Sequence, residues 1–346
     1  MKAIVIHNFG PPDVLSYEDV ADPVPARGEV CIRVHATTVN RVLDVAVRRG
    51  EQRQRNAKLP LIPGVDCAGV VEKTGMDVAD YRPGDHVAAA GRMPLPASSA
   101  ERAGGEPAMG MMGVNRPGGF AELVCVPTSA IVAIPKGLGF YEAAVVMRHC
   151  PTAWNLLCNI AKLRRDEWVI VMGASGNLGA AGIQIAKNVI GAKVIAAAGS
   201  RSRAENGLRL GADHAVDYTT QDLLREVMAL TDGKGVDVLY DNIANPKILP
   251  QAFHCLGRGG RLVTAGAHGG PNVLIDFFHL YDRRITIYGS PGSDPADREK
   301  CFAAAADGKI EAHIAHVLPL SRAADAHRMM ENDAGMGKIV LDPSLG

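Results

Sequence analysis

The chain has 346 residues, 47% of them hydrophobic, and its 37 Lys and Arg balance its 37 Asp and Glu. That length allows two domains with full cores, and the balanced charge argues against nucleic acid or an anionic membrane surface as the main partner. No apolar run reaches membrane-spanning length, and the seven cysteines, at 31, 67, 125, 150, 158, 255 and 301, form no Cys-x-x-Cys pair, which suits free thiols in a reducing compartment and removes a cysteine-cluster zinc site.

The opening "MKAIVIHNFG" reads as a first strand and not as a signal peptide, because its apolar run is short and no cleavage site follows. A cytoplasmic protein is therefore expected. Residues 1–90 read as short strands, "EVCIRVHATTV", "CAGVVEKTG" and "DHVAAAG" among them, joined by dense turn chemistry such as "FGPPD" and "YRPGDH". This predicts a twisted, barrel-like β domain. Within it, "LIPGVDCAGVVEKTG" carries two residue types able to bind metal, Asp66 and Cys67. As strand neighbours they point to opposite faces and do not converge on one ion. Residues 92–118, rich in Gly, Pro, Met and Ala, read as an excursion, with Met109, Met111 and Met112 offering adaptable apolar surface to a pocket or a subunit interface.

From about residue 166 strands alternate with helices: "EWVIVMG", "AKVIAAAG", "HAVDY", "VDVLYDNI", "GRLVTAGA" and "RRITIYGS" are the strands. That pattern predicts a doubly wound, six-stranded parallel sheet of the Rossmann kind. The expected dinucleotide-binding domain spans 126–290. Elements after 291 do not extend the sheet and are expected to return to the first domain, 1–125.

Between the first strand and its helix lies Ala174-Ser175-Gly176-Asn177-Leu178-Gly179. A glycine at 176 lets the backbone approach a pyrophosphate, one at 179 lets the helix pack on the strand, and the helix N-terminus offers free N–H groups to an anion. An NAD site usually has an acid about 20 residues further on. This chain instead has Ser200, Arg201, Ser202 and Arg203, with Tyr218 after the third strand. Two arginines beside hydroxyls suit a 2′-phosphate, so NADP(H) is the expected cofactor. Solvated charges opening a helix are the alternative.

The segments "PGVDCAGVVEKTG", "YRPGDHV", "GGFAELVCVP", "TAW", "GASGNLGAAGIQIAK", "LGADHAVDY", "GGRLVTAG" and "GKIVL" together resemble the medium-chain dehydrogenase/reductase superfamily over essentially the whole chain, and most nearly its zinc-free, quinone oxidoreductase-like branch. The resemblance implies a GroES-like β-barrel-type catalytic domain, a Rossmann domain, and a C-terminal return over 291–346. It also implies hydride transfer from NADPH to a quinone or an α,β-unsaturated carbonyl. Zinc-dependent members have Gly-His-Glu where this chain has Gly64-Val65-Asp66, and cysteines near Asn40, near Arg148 and in the 92–118 region, all of which look replaced here. No metal is expected. Further contacts implied for the nicotinamide cofactor are Asn242, Ala265, Gly266, Ala267, Ser290 and Lys338.

Without zinc, hydrogen-bond donors must stabilise the oxyanion formed by hydride addition. Asn40 matches an asparagine common in the zinc-free branch, in a segment, "VNRVLDVAVRRG", one residue longer than the usual pattern. "VVMRHCPTAWNLL" departs further, with Arg148 and His149 where small or apolar residues are common. Arg148 could polarise a carbonyl or bind an anionic substrate, and His149 could protonate an enolate. An ion pair between the domains, or for Asn40 a turn, are the structural alternatives. Cys150 is read as packing. The strand "RRITIYGS" at a sheet edge suggests a homodimer. Two other functions fit this pattern: an alcohol/carbonyl oxidoreductase, and an NADPH-binding sensor without turnover.

Overall fold

The computed structural model describes residues 1–51, 57–95, 109–332 and 335–345. About half of the expected Gly/Pro/Met excursion, residues 96–108, lies outside them. The chain divides into two compact units, one of residues 1–148 with 312–346 and one of 149–311. The boundaries expected from sequence, after 125 and after 290, fall inside these units. Helix Pro295–Ala306 in particular belongs to the second unit and not to the C-terminal return.

The first unit is built on strand Glu29–Thr38, which alternates buried Val30, Ile32 and Val34 with Cys31 and the exposed Arg33. Period-two alternation of this kind turns one face to a core. Its early residues pair antiparallel with Leu123–Pro127, and its long edge pairs with Asp66–Thr74. His86–Ala90 and Ile131–Ala133 extend the sheet on one side, and Lys338–Asp342 and Ile314–Pro319 on the other. The barrel interior holds Val30, Ile32, Val34, Cys67, Val71, Val87, Met112, Val124 and Ile131. Met112 is completely buried there, so it fills the core and offers no adaptable surface, whereas Met109 is exposed. Each large apolar side chain sealed in this way contributes about 1.5–3 kcal/mol.

The C-terminal strand reaches the end of Glu29–Thr38 in antiparallel register, Val340 opposite Thr38 and Leu341 opposite Thr37. Val39 N–H continues the ladder to the Ile339 carbonyl at 3.0 Å. Carried two residues further, this register sets Lys338 opposite Asn40.

The second unit is the six-stranded parallel sheet, in the spatial order His214–Asp217, Lys193–Ala198, Trp168–Met172, Val236–Asp241, Leu256–Thr264 and Thr286–Gly289. The chain starts in the middle, runs to one edge, returns, and runs to the other. The strand order therefore reverses beside Trp168–Met172, and ligands of such sheets bind outside the carboxyl ends at that point. Val169, Ile170, Val171 and Met172 are at most 1% exposed, as a strand covered on both faces must be. Helix Phe277–Asp282 supplies the crossover into the last strand and went unrecognised in the sequence, where two strands were read in succession. A parallel pair needs such a crossover. Helix Phe140–Trp154 was also missed, since Pro151 inside it reads as a breaker. Among the described residues no helix is long and apolar enough to cross a membrane.

Candidate active site and nucleotide-binding loop

In the second unit, strand Trp168–Met172 ends in the turn Gly173–Gly176 and helix Asn177–Gln184 begins at once, with Gly176 as its N-cap. A Cβ on Gly179 would lie 2.3 Å from the Gly173 carbonyl oxygen, so only glycine lets this helix pack so close to the turn. A Cβ on Gly176 would meet only that same oxygen, at 3.3 Å. Packing within the protein therefore demands Gly179 strongly and Gly176 weakly, as expected if Gly176 keeps the backbone open to a pyrophosphate. Gly176 carries no side chain to cap the helix, so its first N–H groups keep their capacity for an anion. Ala174 is buried beneath the turn, and the Leu178 carbonyl accepts from the Tyr240 hydroxyl at 3.1 Å, anchoring the helix start to the sheet.

The second strand leads into helix Arg201–Arg209, capped by Ser200, whose Oγ accepts from the Arg203 N–H at 3.4 Å. Arg201 is highly exposed and pairs with Glu205 at 2.9 Å, an exposed i,i+4 contact that adds little to stability. Tyr218 stands beside Gly199, where a Cβ would lie 3.1 Å from its hydroxyl. Its pKa is raised by burial and drawn back by the charge of Arg203. Ser200, Arg201, Arg203 and Tyr218 thus gather at one corner. The neighbouring acid, Asp217, is committed to its own turn: it accepts from the Thr219 N–H at 2.9 Å and the Thr219 hydroxyl at 2.6 Å, bonds that hold its pKa below the usual carboxylate range.

At the carboxyl ends of the next strands, the Asn242 amide donates to the Met172 carbonyl at 2.6 Å, tying the first strand to the fourth. Gly266 lies against Asn242, where a Cβ would approach the Asn242 carbonyl oxygen to 2.1 Å. Ala265 and Ala267 flank Gly266 in the loop after Leu256–Thr264. Ser290 N–H continues the ladder to the Thr264 carbonyl at 3.0 Å, and its hydroxyl accepts from Asn155 at 3.0 Å. Asn155 and the buried Asp241, which caps the Ile243 and Ala244 N–H groups, were not singled out from sequence. Asn155 is not marked by spacing because its partners at Ser290 and Gly292 are distant in the chain, whereas Asp241 caps the turn that follows it.

In the first unit a buried polar cluster forms around Asn40. Asp66 Oδ1 accepts from the Thr38 N–H at 2.6 Å, and Oδ2 from the Thr38 hydroxyl at 2.6 Å and the Asn40 amide at 3.0 Å. The Asn40 side-chain carbonyl accepts from Lys338 Nζ, and Lys338 is only 1% exposed. Lys338, expected at a cofactor cleft, is therefore turned inward against Asn40. Asp44 is fully buried and accepts from the Asn40 N–H at 2.8 Å and the Gly64 N–H at 3.2 Å. Burial, then the charge of Asp66, raises the Asp44 pKa to about 7, against the pull of its Asn40 bonds and of Lys338. Residues Arg41–Val45 form a π-turn. A wide turn of this kind takes up one extra residue, which suits the longer segment noted in the sequence.

Arg148, on helix Phe140–Trp154, is half-buried in the field of Asp66 and Asp44. Burial lowers its pKa, and the charges of Asp66 and Asp44 offset this only in part. Its Nε is buried and has no acceptor among the described residues. His149 follows on the same helix, and consecutive helical side chains diverge by about 100°. Arg148 and His149 therefore leave the helix in different directions. Cys150 is buried, within electrostatic reach of Tyr240 and Cys301, as packing requires. Cys67 faces the barrel core, opposite to Asp66.

Comparison with known proteins agrees with this geometry. Residues 26–136 match the family model of the alcohol dehydrogenase GroES-like domain, and 178–307 that of the zinc-binding dehydrogenases. The quinone oxidoreductase of Rattus norvegicus is 30% identical over 99% of this chain and 97% of its own, and a 2-haloacrylate reductase of a Burkholderia species is 30% identical over 99% of both. Among solved structures, an NAD-dependent alcohol dehydrogenase superposes with TM-score 0.87 at 34% identity, covering 99% of both chains. A mycobacterial quinone oxidoreductase superposes with TM-score 0.84 at 25% identity, covering 99% of this chain and all of the other. The family's oxidoreductases use a nicotinamide cofactor, and the glycine cradle at 173–179 fits one. The chain belongs to the medium-chain dehydrogenase/reductase superfamily, in its quinone oxidoreductase-like branch.

Proposed function

We propose that this oxidoreductase is an NADPH-dependent, metal-independent reductase of quinones or α,β-unsaturated carbonyls. The observation that carries the reading is the pairing of a saturated Asp66 with an unsaturated Arg148. Both Asp66 oxygens are taken by protein donors, so this carboxylate has little left to give a metal. Arg148 keeps a buried donor with no acceptor, in the field of Asp66 and Asp44, which works against the effect of burial on its charge. When bound, the nicotinamide supplies hydride. Arg148 then receives the substrate oxygen in a charge-assisted hydrogen bond that strengthens as negative charge develops. The Lys338–Asn40–Asp66 chain keeps the surroundings of Arg148 in place. A 2-haloacrylate, the substrate named for one relative, carries both an activated double bond and a carboxylate, and either would suit this guanidinium.

NADPH over NADH is supported by Ser200, Arg201 and Arg203 and by the commitment of Asp217 to its own turn. A cytoplasmic location agrees with the seven free cysteines. A homodimer is supported by the edge strand Thr286–Gly289, which pairs on one side only and is exposed along its whole length. Phe277 and Phe278 of the adjoining helix are 74% and 67% exposed. A second copy pairing antiparallel across a twofold axis would satisfy the strand and cover these rings.

The test is NADPH and NADH oxidation with a panel of quinones, enones, 2-haloacrylates, aldehydes and ketones, run with and without a chelator. Turnover of quinones or enones with NADPH, insensitive to chelation, is expected. Turnover confined to aldehydes or ketones would favour an alcohol/carbonyl oxidoreductase. Tight NADPH binding without turnover of any substrate would favour a sensor.

A further inference from the structure

Cys31 and Cys125 face each other directly across the antiparallel pair Glu29–Thr38 and Leu123–Pro127. The ladder fixes which kind of pair they are. Val34 N–H bonds to the Glu122 carbonyl at 2.9 Å, and Thr128 N–H to the Gly28 carbonyl at 3.0 Å. Hydrogen-bonded and non-hydrogen-bonded pairs alternate along such a ladder, so Cys31–Cys125 falls at a non-hydrogen-bonded position. There the Cα atoms approach to about 4.5 Å, at the near end of the range a disulfide spans. The two thiols are hydrogen-bonded to each other. Both are free, Cys31 is buried and Cys125 is half-buried, on the sheet face that also carries Arg33 and points away from the barrel core.

We propose that Cys31 and Cys125 form a redox-active dithiol that exchanges with low-molecular-weight disulfides to give a cross-strand disulfide. The shared hydrogen bond helps, because a thiolate at one sulfur is stabilised by the S–H of the other. This lowers the first ionisation of the pair, seen at Cys31, and raises the second, seen at Cys125. The positive charges of Lys73 and Arg33 act in the same direction on Cys31, against Glu72. A proton moving along the S–H···S contact puts the charge on Cys125, the residue of the pair that is not fully buried. Its thiolate attacks one sulfur of glutathione disulfide, forming a mixed disulfide and releasing one glutathione thiolate. Cys31, losing its proton to solvent, then attacks Cys125 Sγ and releases the second glutathione. Two cysteine thiols are oxidised by two electrons in total, one glutathione disulfide is reduced to two thiols, and the cysteine protons end on glutathione. Of the other five cysteines, Cys67 lies in the barrel core, and Cys150, Cys158, Cys255 and Cys301 belong to the second unit.

The experiment incubates the folded protein with glutathione disulfide, counts thiols under denaturing conditions, and maps peptides before and after reduction. The native protein is expected to lose two of its seven thiols and to yield a 31–125 crosslinked peptide that dithiothreitol releases. Cys31→Ser should stop at one glutathionyl group on Cys125, and Cys125→Ser should keep all its thiols. Seven thiols remaining in the folded native protein, or a crosslink between other cysteines, would overturn the proposal. The two serine variants sit away from Asn40 and Arg148, so a folded variant that still forms an internal disulfide would overturn it equally.

Discussion

Lys338 places its ammonium on the side-chain carbonyl of Asn40, a residue 298 positions earlier in the chain. The contact exists because the last strand pairs with the end of Glu29–Thr38 in a register that sets the two residues opposite. Asn40 passes the interaction on to Asp66 through its amide, so a buried cation and a buried anion are joined through one neutral side chain. Breaking a buried pair on one side leaves the other charge uncompensated and costs about 3–5 kcal/mol. Asp66→Ala should destabilise the first unit by an amount in that range, and Asp66→Asn by less, as read from thermal unfolding. A melting temperature unchanged in the alanine variant would mean that the cluster contributes little.

Arg148→Ala should lower kcat/KM by about 10²–10³, the usual cost of losing a donor to a developing oxyanion. Its melting temperature should fall less than that of the Asp66→Ala protein, because no protein acceptor is lost at Nε. Arg148→Lys should recover part of the activity. Steady-state kinetics with the preferred substrate decides this, and an unchanged kcat/KM would remove Arg148 from the site.

Asp44 makes stability depend on pH in a direction opposite to that of most carboxylates. Its folded pKa is raised to about 7, so between the ordinary carboxylate range and that value the native state holds a proton that the unfolded chain has lost. The stabilisation is complete at low pH, falls as pH rises by at most about 1.4 kcal/mol per unit, and levels off above the folded pKa. Asp44→Asn lacks this slope. Melting curves of both proteins between about pH 5 and pH 8 should diverge, the native protein losing ground to the variant as pH rises.

Arg201 and Arg203 should matter for one cofactor only. A charge-assisted bond to a phosphate contributes about 1.5–3 kcal/mol. Replacing both arginines by alanine should raise KM for NADPH by tenfold or more, on the order of that energy, and leave KM for NADH nearly unchanged. Equal losses with both cofactors would make the arginines ordinary helix-opening charges.

A charge on the exposed edge strand should separate subunits. Ile287 and Tyr288 are 42% and 41% exposed, and Tyr288→Glu would put like charges together across a twofold contact. Sedimentation velocity should find a dimer in the native protein and a monomer in the variant.

Local periodicity and turn chemistry alone determined the alternation of strands and helices after residue 166, the glycine turn at 173–179 and the barrel strands, because each is a short-range consequence of backbone geometry. The same reasoning separated Asp66 from Cys67 on opposite faces of one strand. It missed helix Phe140–Trp154, where Pro151 masks the pattern, and with it the divergence of Arg148 from His149. Tertiary structure alone decided what the polar residues do. Asp44 is an unremarked acid in the sequence and Asp66 only a residue type able to bind metal, and their chemistry arises from burial and from partners at Asn40, Thr38, Gly64 and Lys338. Likewise Cys31 and Cys125 are two of seven scattered cysteines until strand register sets them face to face. Periodicity is written in neighbouring residues, whereas desolvation and pairing depend on which distant segments fold against one another.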